Sequence, residues 1–179
     1  MISTIILAII FLLLVPLAVF FLVQFYNILF RGFAPFVSTH PLVVSRVILE
    51  ARLAPGQQVY ELGCGKAGFL VGLEKKFPQA KYAGIEYAFW PWFVAKAQLL
   101  LAGSKIKLIK QNLFNADIAD ADLIYCYLNP KMMQDLEIKF KKECKPGTQI
   151  ISYCFPMTEM PPEKTIELED NTRVYYYTI

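Results

Sequence analysis

A strand that runs straight into a glycine turn and then a helix leaves a chain few folds to adopt, and residues 59–68 carry that pattern. Val59-Tyr60-Glu61-Leu62 is a short apolar run interrupted only by Glu61, and Gly63 and Gly65 follow it. Phe69, Leu70, Leu73 and Phe77 then recur at helical spacing until Pro78. Glycines at 63 and 65 let the backbone turn tightly and approach a ligand closely. A helix opening near Gly68 would aim unpaired N–H groups and its positive dipole end at that ligand. The spacing fits nucleotide cofactors as a class and does not by itself choose among them.

Two carboxylates narrow the choice. Glu61, two residues before the first glycine, would repel a pyrophosphate but attract a cationic ligand, and S-adenosylmethionine carries both an ammonium and a sulfonium. Glu86 closes the apolar run Tyr82-Ala83-Gly84-Ile85 at about the spacing of an acid that accepts hydrogen bonds from ribose hydroxyls. The plain alternative is a strand–helix turn with two exposed acids.

The remaining elements follow in alternation. Before the glycine turn, Pro41 sits in the first turn of a helix over Leu42 to Leu53, whose apolar face is Val43, Val44, Val47, Ile48 and Ala51. After it come a strand from Lys81 to Glu86, a helix from Pro91 to Ala102 and a strand from Lys105 to Lys110. A strand from Asp122 to Leu128, a helix from Lys131 to Lys142 and a strand from Thr148 to Cys154 complete the regular part. Such alternation belongs to a Rossmann-like, doubly wound α/β sheet. Lys164 to Leu168 and Arg173 to Ile179, separated by Glu169-Asp170-Asn171-Thr172, make a C-terminal antiparallel hairpin instead.

From Met1 to Phe30 no side chain is charged, and Ile5 to Val23 is almost wholly aliphatic or aromatic. A bilayer needs about 20 such residues, so one N-terminal transmembrane helix is expected, kinked at Pro16. The absence of a basic first region and of a small-x-small cleavage site argues against a cleaved signal peptide, and the absence of a polar face against a buried core helix. Arg31, Arg46 and Arg52 follow the span, which places the rest of the chain on the cytoplasmic side, or the matrix side of a mitochondrial membrane. The expected organisation is residues 1–30 as membrane helix, 31–53 as linker and amphipathic helix, and 54–179 as the cofactor-binding domain.

A formal net charge of +3 with lysines spread over many segments does not argue for nucleic acid. Cys64, Cys126, Cys144 and Cys154 show no C-x-x-C spacing and His40 is the only histidine, so no metal site or Cys–His nucleophile is expected.

With its elements placed, the chain resembles the seven-strand S-adenosylmethionine-dependent methyltransferases. More narrowly, it is similar to the membrane-anchored protein lysine methyltransferases that include the ATP synthase c-subunit lysine methyltransferase. The likeness rests on Ala34-Pro35-Phe36-Val37-Ser38-Thr39, on Glu61-Leu62-Gly63-Cys64-Gly65 and on Gly84-Ile85-Glu86. It rests also on Tyr127-Leu128-Asn129-Pro130-Lys131-Met132-Met133 and the Lys145-Pro146-Gly147 turn. Two positions depart from it: Lys66 and Ala67 stand where an acid and a base are usual, and Gln111-Asn112 where an aspartate is usual.

The resemblance implies S-adenosylmethionine as cofactor and a lysine-bearing membrane protein as partner. A lipid or membrane small molecule as acceptor, and a non-catalytic tethered relative, remain open beside it. The candidate cofactor-binding residues are Glu61, Gly63, Cys64, Gly65, Glu86, Tyr87, Asn112 and Leu113. The fourth strand of such a fold ends beside the reacting methyl group, which makes Tyr127, Asn129 and Pro130 the candidate catalytic residues; core packing is the plainer role for Tyr125. The aromatic block Phe89-Trp90-Pro91-Trp92-Phe93 has three readings: packing of its own helix, a wall for adenine, or a face toward a membrane interface.

Overall fold

The structure, a computed structural model, describes residues 2–31, 39 and 41–179. The chain separates into two compact units, Met1–Pro35 and Phe36–Ile179. Among its described residues the first is one helix, α1 (Ile2–Arg31), with Pro16 inside it. Within it Thr4–Val23 is long and apolar enough to cross a membrane, and every side chain of that stretch is exposed. The expected linker after Arg31 lies outside the described residues, apart from Thr39.

The second unit is a seven-strand sheet in the order β3-β2-β1-β4-β5-β7-β6. The strands are β1 (Gln58–Leu62), β2 (Lys81–Glu86), β3 (Lys107–Lys110), β4 (Leu123–Cys126), β5 (Gln149–Tyr153), β6 (Lys164–Glu167) and β7 (Arg173–Thr178). Strands β1 to β5 pair in parallel, whereas β7 inserts antiparallel between β5 and β6. The crossover helices are α3 (Gly68–Lys76), α4 (Phe89–Leu101) and α5 (Pro130–Glu143), and α2 (Pro41–Glu50) precedes β1. A doubly wound sheet closed by an antiparallel hairpin is therefore the architecture, as the alternation and the tail required.

Several element ends differ from the sequence reading, among them α2, which stops at Glu50 rather than Leu53, and β4, which is shorter than Asp122 to Leu128; two others have a visible physical reason. α4 begins at Phe89 rather than Pro91, so its proline occupies the first turn, where no intrahelical donor is lost. β3 begins at Lys107 rather than Lys105, because the backbone N–H of Lys105 donates to Glu74 and Ser104 Oγ accepts the N–H of Ile106, which diverts both from the ladder.

Parallel pairing fixes which side chains share a face. Gly84, Glu61, Tyr125, Ile151 and Tyr176 occupy successive register positions across the sheet. α2 and α3 cover that face: Val43, Val47, Phe69, Leu70 and Leu73 are buried in one cluster with Val59, Tyr125 and Ile151. α2 and α3 approach closely at Gly72, where an added Cβ would lie 2.7 Å from Ile48 Cδ1.

Candidate functional site

Chain order reverses between β1 and β4, and their C-terminal ends open on one edge of the sheet, the position where α/β folds of this kind take ligands. The turn that leaves β1 there is built by its glycines. Gly63 and Gly65 take φ of 75° and 53°, in the left-handed region. A Cβ on Gly63 would also meet Leu128 Cδ2 at 2.8 Å, so the segment that leaves β4 packs against the turn. Both Gly63 and Cys64 donate their N–H to the carbonyl of Ile85, at 2.9 and 3.0 Å, which ties the turn to the end of β2.

The residue that completes the turn was not legible as such. Ala67, not Gly68, takes the last left-handed position, with φ 58°, and it is fully buried. Gly68 has open space where a Cβ would stand, so its place in the glycine pattern is not sterically required. Ala67 also occupies the N-cap of α3 with no side chain to offer, and a carboxylate from the sheet takes that role: Glu61 accepts the backbone N–H of Leu70.

Glu61 is 6% exposed, against the reading of two solvent-facing acids. Burial raises its pKa well above the usual carboxylate range, the Leu70 N–H opposes this, and the nearby Glu86 charge adds to it. Its Oε2 has no hydrogen-bond partner among the described residues. A buried, unsatisfied carboxyl oxygen beside a glycine turn costs on the order of 1–3 kcal/mol and fits a ligand that brings a cationic donor.

Glu86 holds the other side of the turn. Its Oε2 accepts the N–H of Gly65 at 2.9 Å and its Oε1 the N–H of Ala88 at 2.7 Å, and the Tyr87 N–H also bonds the carboxylate, so three backbone donors hold it in place. Burial also raises its pKa, against those backbone bonds. Tyr87, next along, is half exposed. Gln111 donates its backbone N–H to the carbonyl of Glu86, which brings Asn112 and Leu113 to the same edge. Asn112 caps the single 3₁₀ turn Leu113–Asn115 by accepting the N–H of Phe114 at 3.1 Å, and Leu113 is buried.

On the β4 side, Tyr125 is buried, stacks on Phe69 with ring centroids 3.8 Å apart, and shares a hydrogen bond of 3.2 Å with Thr39. That is the core role, as the sequence favoured. Tyr127 is partly exposed and lies 4.5 Å, centroid to centroid, from Tyr153 at the end of β5. Asn129 is the N-cap of α5: its side-chain oxygen accepts the N–H of Met132 at 2.9 Å, and Pro130 is the exposed first helical residue. Cys154, with φ 70°, follows Tyr153 and bonds both tyrosines.

Sequence reasoning singled out Ala67 and Gly84 without finding their structural roles, and it missed the Tyr153–Cys154 pair. Gly84 had a signal, since a glycine inside a strand marks close approach: a Cβ there would lie 2.8 Å from Cys64 Sγ and 3.2 Å from Leu70 Cδ1. The thiols of Cys64 and Cys126 are held far above their usual range by burial and by Glu61, which makes them packing groups rather than nucleophiles.

A parallel sheet of this order ending in an antiparallel hairpin, with a glycine turn flanked by Glu61 and Glu86 at its switch point, defines a class I S-adenosylmethionine-dependent methyltransferase. The chain belongs to the family described as the ANTKMT methyltransferase domain, which matches residues 61–164. It is 31% identical over 150 residues to a protein-lysine N-methyltransferase of Saccharolobus islandicus, covering 81% of this chain and 93% of that protein. Among solved structures it is similar to an RNA methyltransferase from Salinibacter ruber in complex with S-adenosyl-L-homocysteine. There the TM-score is 0.75 at 28% identity over 80% of this chain and 94% of that one. It shares its fold with TrmN from Thermus thermophilus, at a TM-score of 0.65 and 13% identity over 78% of this chain and 49% of that one.

Proposed function

We propose that this enzyme methylates the ε-amino group of a lysine on a membrane protein, held at the membrane by α1. The observation that carries the cofactor side is the unpaired, buried Glu61 Oε2 beside the glycine turn. The 31% identical lysine methyltransferase supports the acceptor class, and the uncharged Thr4–Val23 stretch supports the membrane. Arg31, Arg46 and Arg52 after the span favour a cytoplasmic or matrix-facing catalytic unit. Residues 1–30, 31–53 and 54–179 then serve as anchor, connection and methyltransferase domain.

S-adenosylmethionine, when bound, supplies an electrophilic methyl group on a sulfonium. The chain's own residues position and desolvate. Glu61 receives the ammonium, Gly63, Cys64 and Gly65 present backbone at close range, and Glu86 receives ribose hydroxyls. Asn112 would hold the adenine edge through its amide, and Tyr87 and Leu113 would complete the cofactor set. On the acceptor side Tyr127 and Tyr153 wall the approach; partial burial there favours the neutral, nucleophilic amine over the charged form whose ordinary pKa is about 10.4. Asn129, whose side-chain oxygen caps α5, is the amide that would orient the amine, and Pro130 fixes the backbone beside it. No dedicated base is needed, because the proton of a lysine leaves to water before transfer.

The test is methyl-labelled cofactor added to membranes from cells lacking this chain, with and without the purified full-length protein. Label is expected on lysines of an integral membrane protein, read by mass spectrometry. Label in the lipid extract would transfer the proposal to a lipid acceptor, and label in RNA to the chemistry of the Salinibacter ruber protein. Cofactor binding by calorimetry without label anywhere would leave a tethered, non-catalytic relative.

A further inference from the structure

We infer that the outer face of α4 is a second membrane-contact surface, which lies in the headgroup interface of an anionic bilayer and sets how the catalytic unit meets it. The inference rests on the reading of α1 as an anchor. Pro91, Ala95 and Leu99 turn inward on α4 and are buried. On the opposite side Phe89, Trp90, Phe93, Ala97, Leu100 and Leu101 fall within an arc of about 120° at about 3.6 residues per turn. All six are exposed, with Trp90 at 57%, Leu100 at 81% and Leu101 at 89%. No polar or charged side chain interrupts the arc.

Soluble surfaces rarely keep such a patch uncovered. Three observations point to lipid as the cover. Its composition is that of interfacial helices, Trp, Phe and Leu on one face with lysine at the edge. The rim is cationic: Lys96 Nζ lies 4.9 Å from the Trp92 ring centroid and Lys110 Nζ 5.9 Å from that of Phe89, and α4 contains no acid. Two copies pairing through this face would bring those lysines together without counter-charges from either α4, whereas an anionic leaflet supplies the counter-charge. The same chain also carries Thr4–Val23, which keeps a bilayer at high effective concentration. Stacking of Phe93 on Phe89 and Trp90, at centroid separations of 6.2 and 6.1 Å, makes the patch one continuous surface. Phe89 begins α4 just after Glu86 and Tyr87, so contact at this face places the cofactor edge next to the headgroups.

The only tryptophans, Trp90 and Trp92, both lie on α4, and this makes the test direct. Full-length Trp92→Phe protein is reconstituted into vesicles of phosphatidylcholine and phosphatidylserine that carry brominated acyl chains, and flotation is measured alongside Trp90 fluorescence. Flotation reports the anchor; bromine quenching reports the α4 face. We expect Trp90 to be quenched more by bromines just below the headgroups than by bromines near the chain ends. Quenching should fall to the detergent baseline in Lys96→Glu/Lys110→Glu protein and in Phe89→Ser/Phe93→Ser protein, while both still float and keep the wild-type circular dichroism spectrum. A chain that floats with Trp90 unquenched overturns the inference and leaves the anchor standing. Trp90 unquenched by lipid but shielded once an acceptor membrane protein is added would make the face a protein-docking surface instead, which also overturns it. A chain that does not float removes both readings.

Discussion

At the scale of single residues the site is a conflict held in place by Glu61. Its carboxyl is buried in an apolar face, serves as the missing cap of α3 through Leu70, and leaves one oxygen unpaired. Because its folded pKa lies above that of the unfolded chain, the ligand-free protein binds a proton there that the unfolded chain has released. Stability contributed by the neutral form is present at acid pH and is lost as pH climbs from the usual carboxylate range toward the raised value, with a slope of at most about 1.4 kcal/mol per pH unit. Glu86 is shifted in the same direction and adds to that loss. Glu61→Gln should therefore flatten the fall in ligand-free melting temperature as pH rises above the usual carboxylate range, while weakening S-adenosylmethionine binding by roughly 1–3 kcal/mol. Equal pH slopes in the two proteins, or unchanged affinity by calorimetry, would refute the assignment. Glu86→Ala should lose affinity in the same range, since it frees both the Gly65 and Ala88 N–H groups. The placement of both acids beside the glycine turn was legible from their spacing to the glycines; the burial of Glu61 was not, because it depends on α3 lying over β1.

Elements show where sequence periodicity is sufficient and where it fails. The strand and helix alternation and the terminal hairpin could be read because each is a local pattern bounded by proline or glycine. Gly84 and Gly72 were not read, since each is defined by a neighbour distant in sequence: Cys64 and Leu70 for the first, Ile48 and Val44 for the second. Gly84→Ala should destabilise the domain by about 1–3 kcal/mol, the cost of overpacking. Adding Cys64→Ala should recover part of that loss, because Sγ is the nearest obstacle, and chemical denaturation of the four proteins of that cycle would show the coupling as non-additivity. Additive losses would mean the contact is relieved elsewhere. Asn129 separates two roles in the same way. Asn129→Ala removes the α5 cap and should cost about 1 kcal/mol of stability, whereas Asn129→Asp keeps a capping oxygen and should cost little. Methyl transfer should fall in both, because an aspartate beside the amine would favour its charged, non-nucleophilic form. Full activity of Asn129→Asp would confine this residue to capping.

The whole molecule joins a lone apolar helix to a complete methyltransferase sheet, and the two are separate compact units, Met1–Pro35 and Phe36–Ile179. Every strand and every candidate site residue belongs to the second unit, so cofactor binding should not require the first. The expected linker after Arg31 can span at most roughly 3.3–3.6 Å per residue, so on the proposed reading of α1 as an anchor the site would stay near the bilayer. A lysine on a short loop of an integral membrane protein lies at that height, and confinement raises its effective concentration without adding a contact. A chain beginning near Phe33 should accordingly bind S-adenosylmethionine with the affinity of the full-length protein yet methylate its membrane acceptor poorly. If α1 acts as the proposed tether, fusing an unrelated transmembrane helix of the same orientation in place of Met1 to Phe30 should restore transfer, because a tether works through orientation and proximity rather than its own sequence. Labelled-methyl incorporation into intact membranes by the three proteins, at matched concentration, measures this. Full activity of the truncated chain would show that tethering is not the contribution of the first thirty residues, and failure of the fused helix would mean that α1 itself recognises the acceptor.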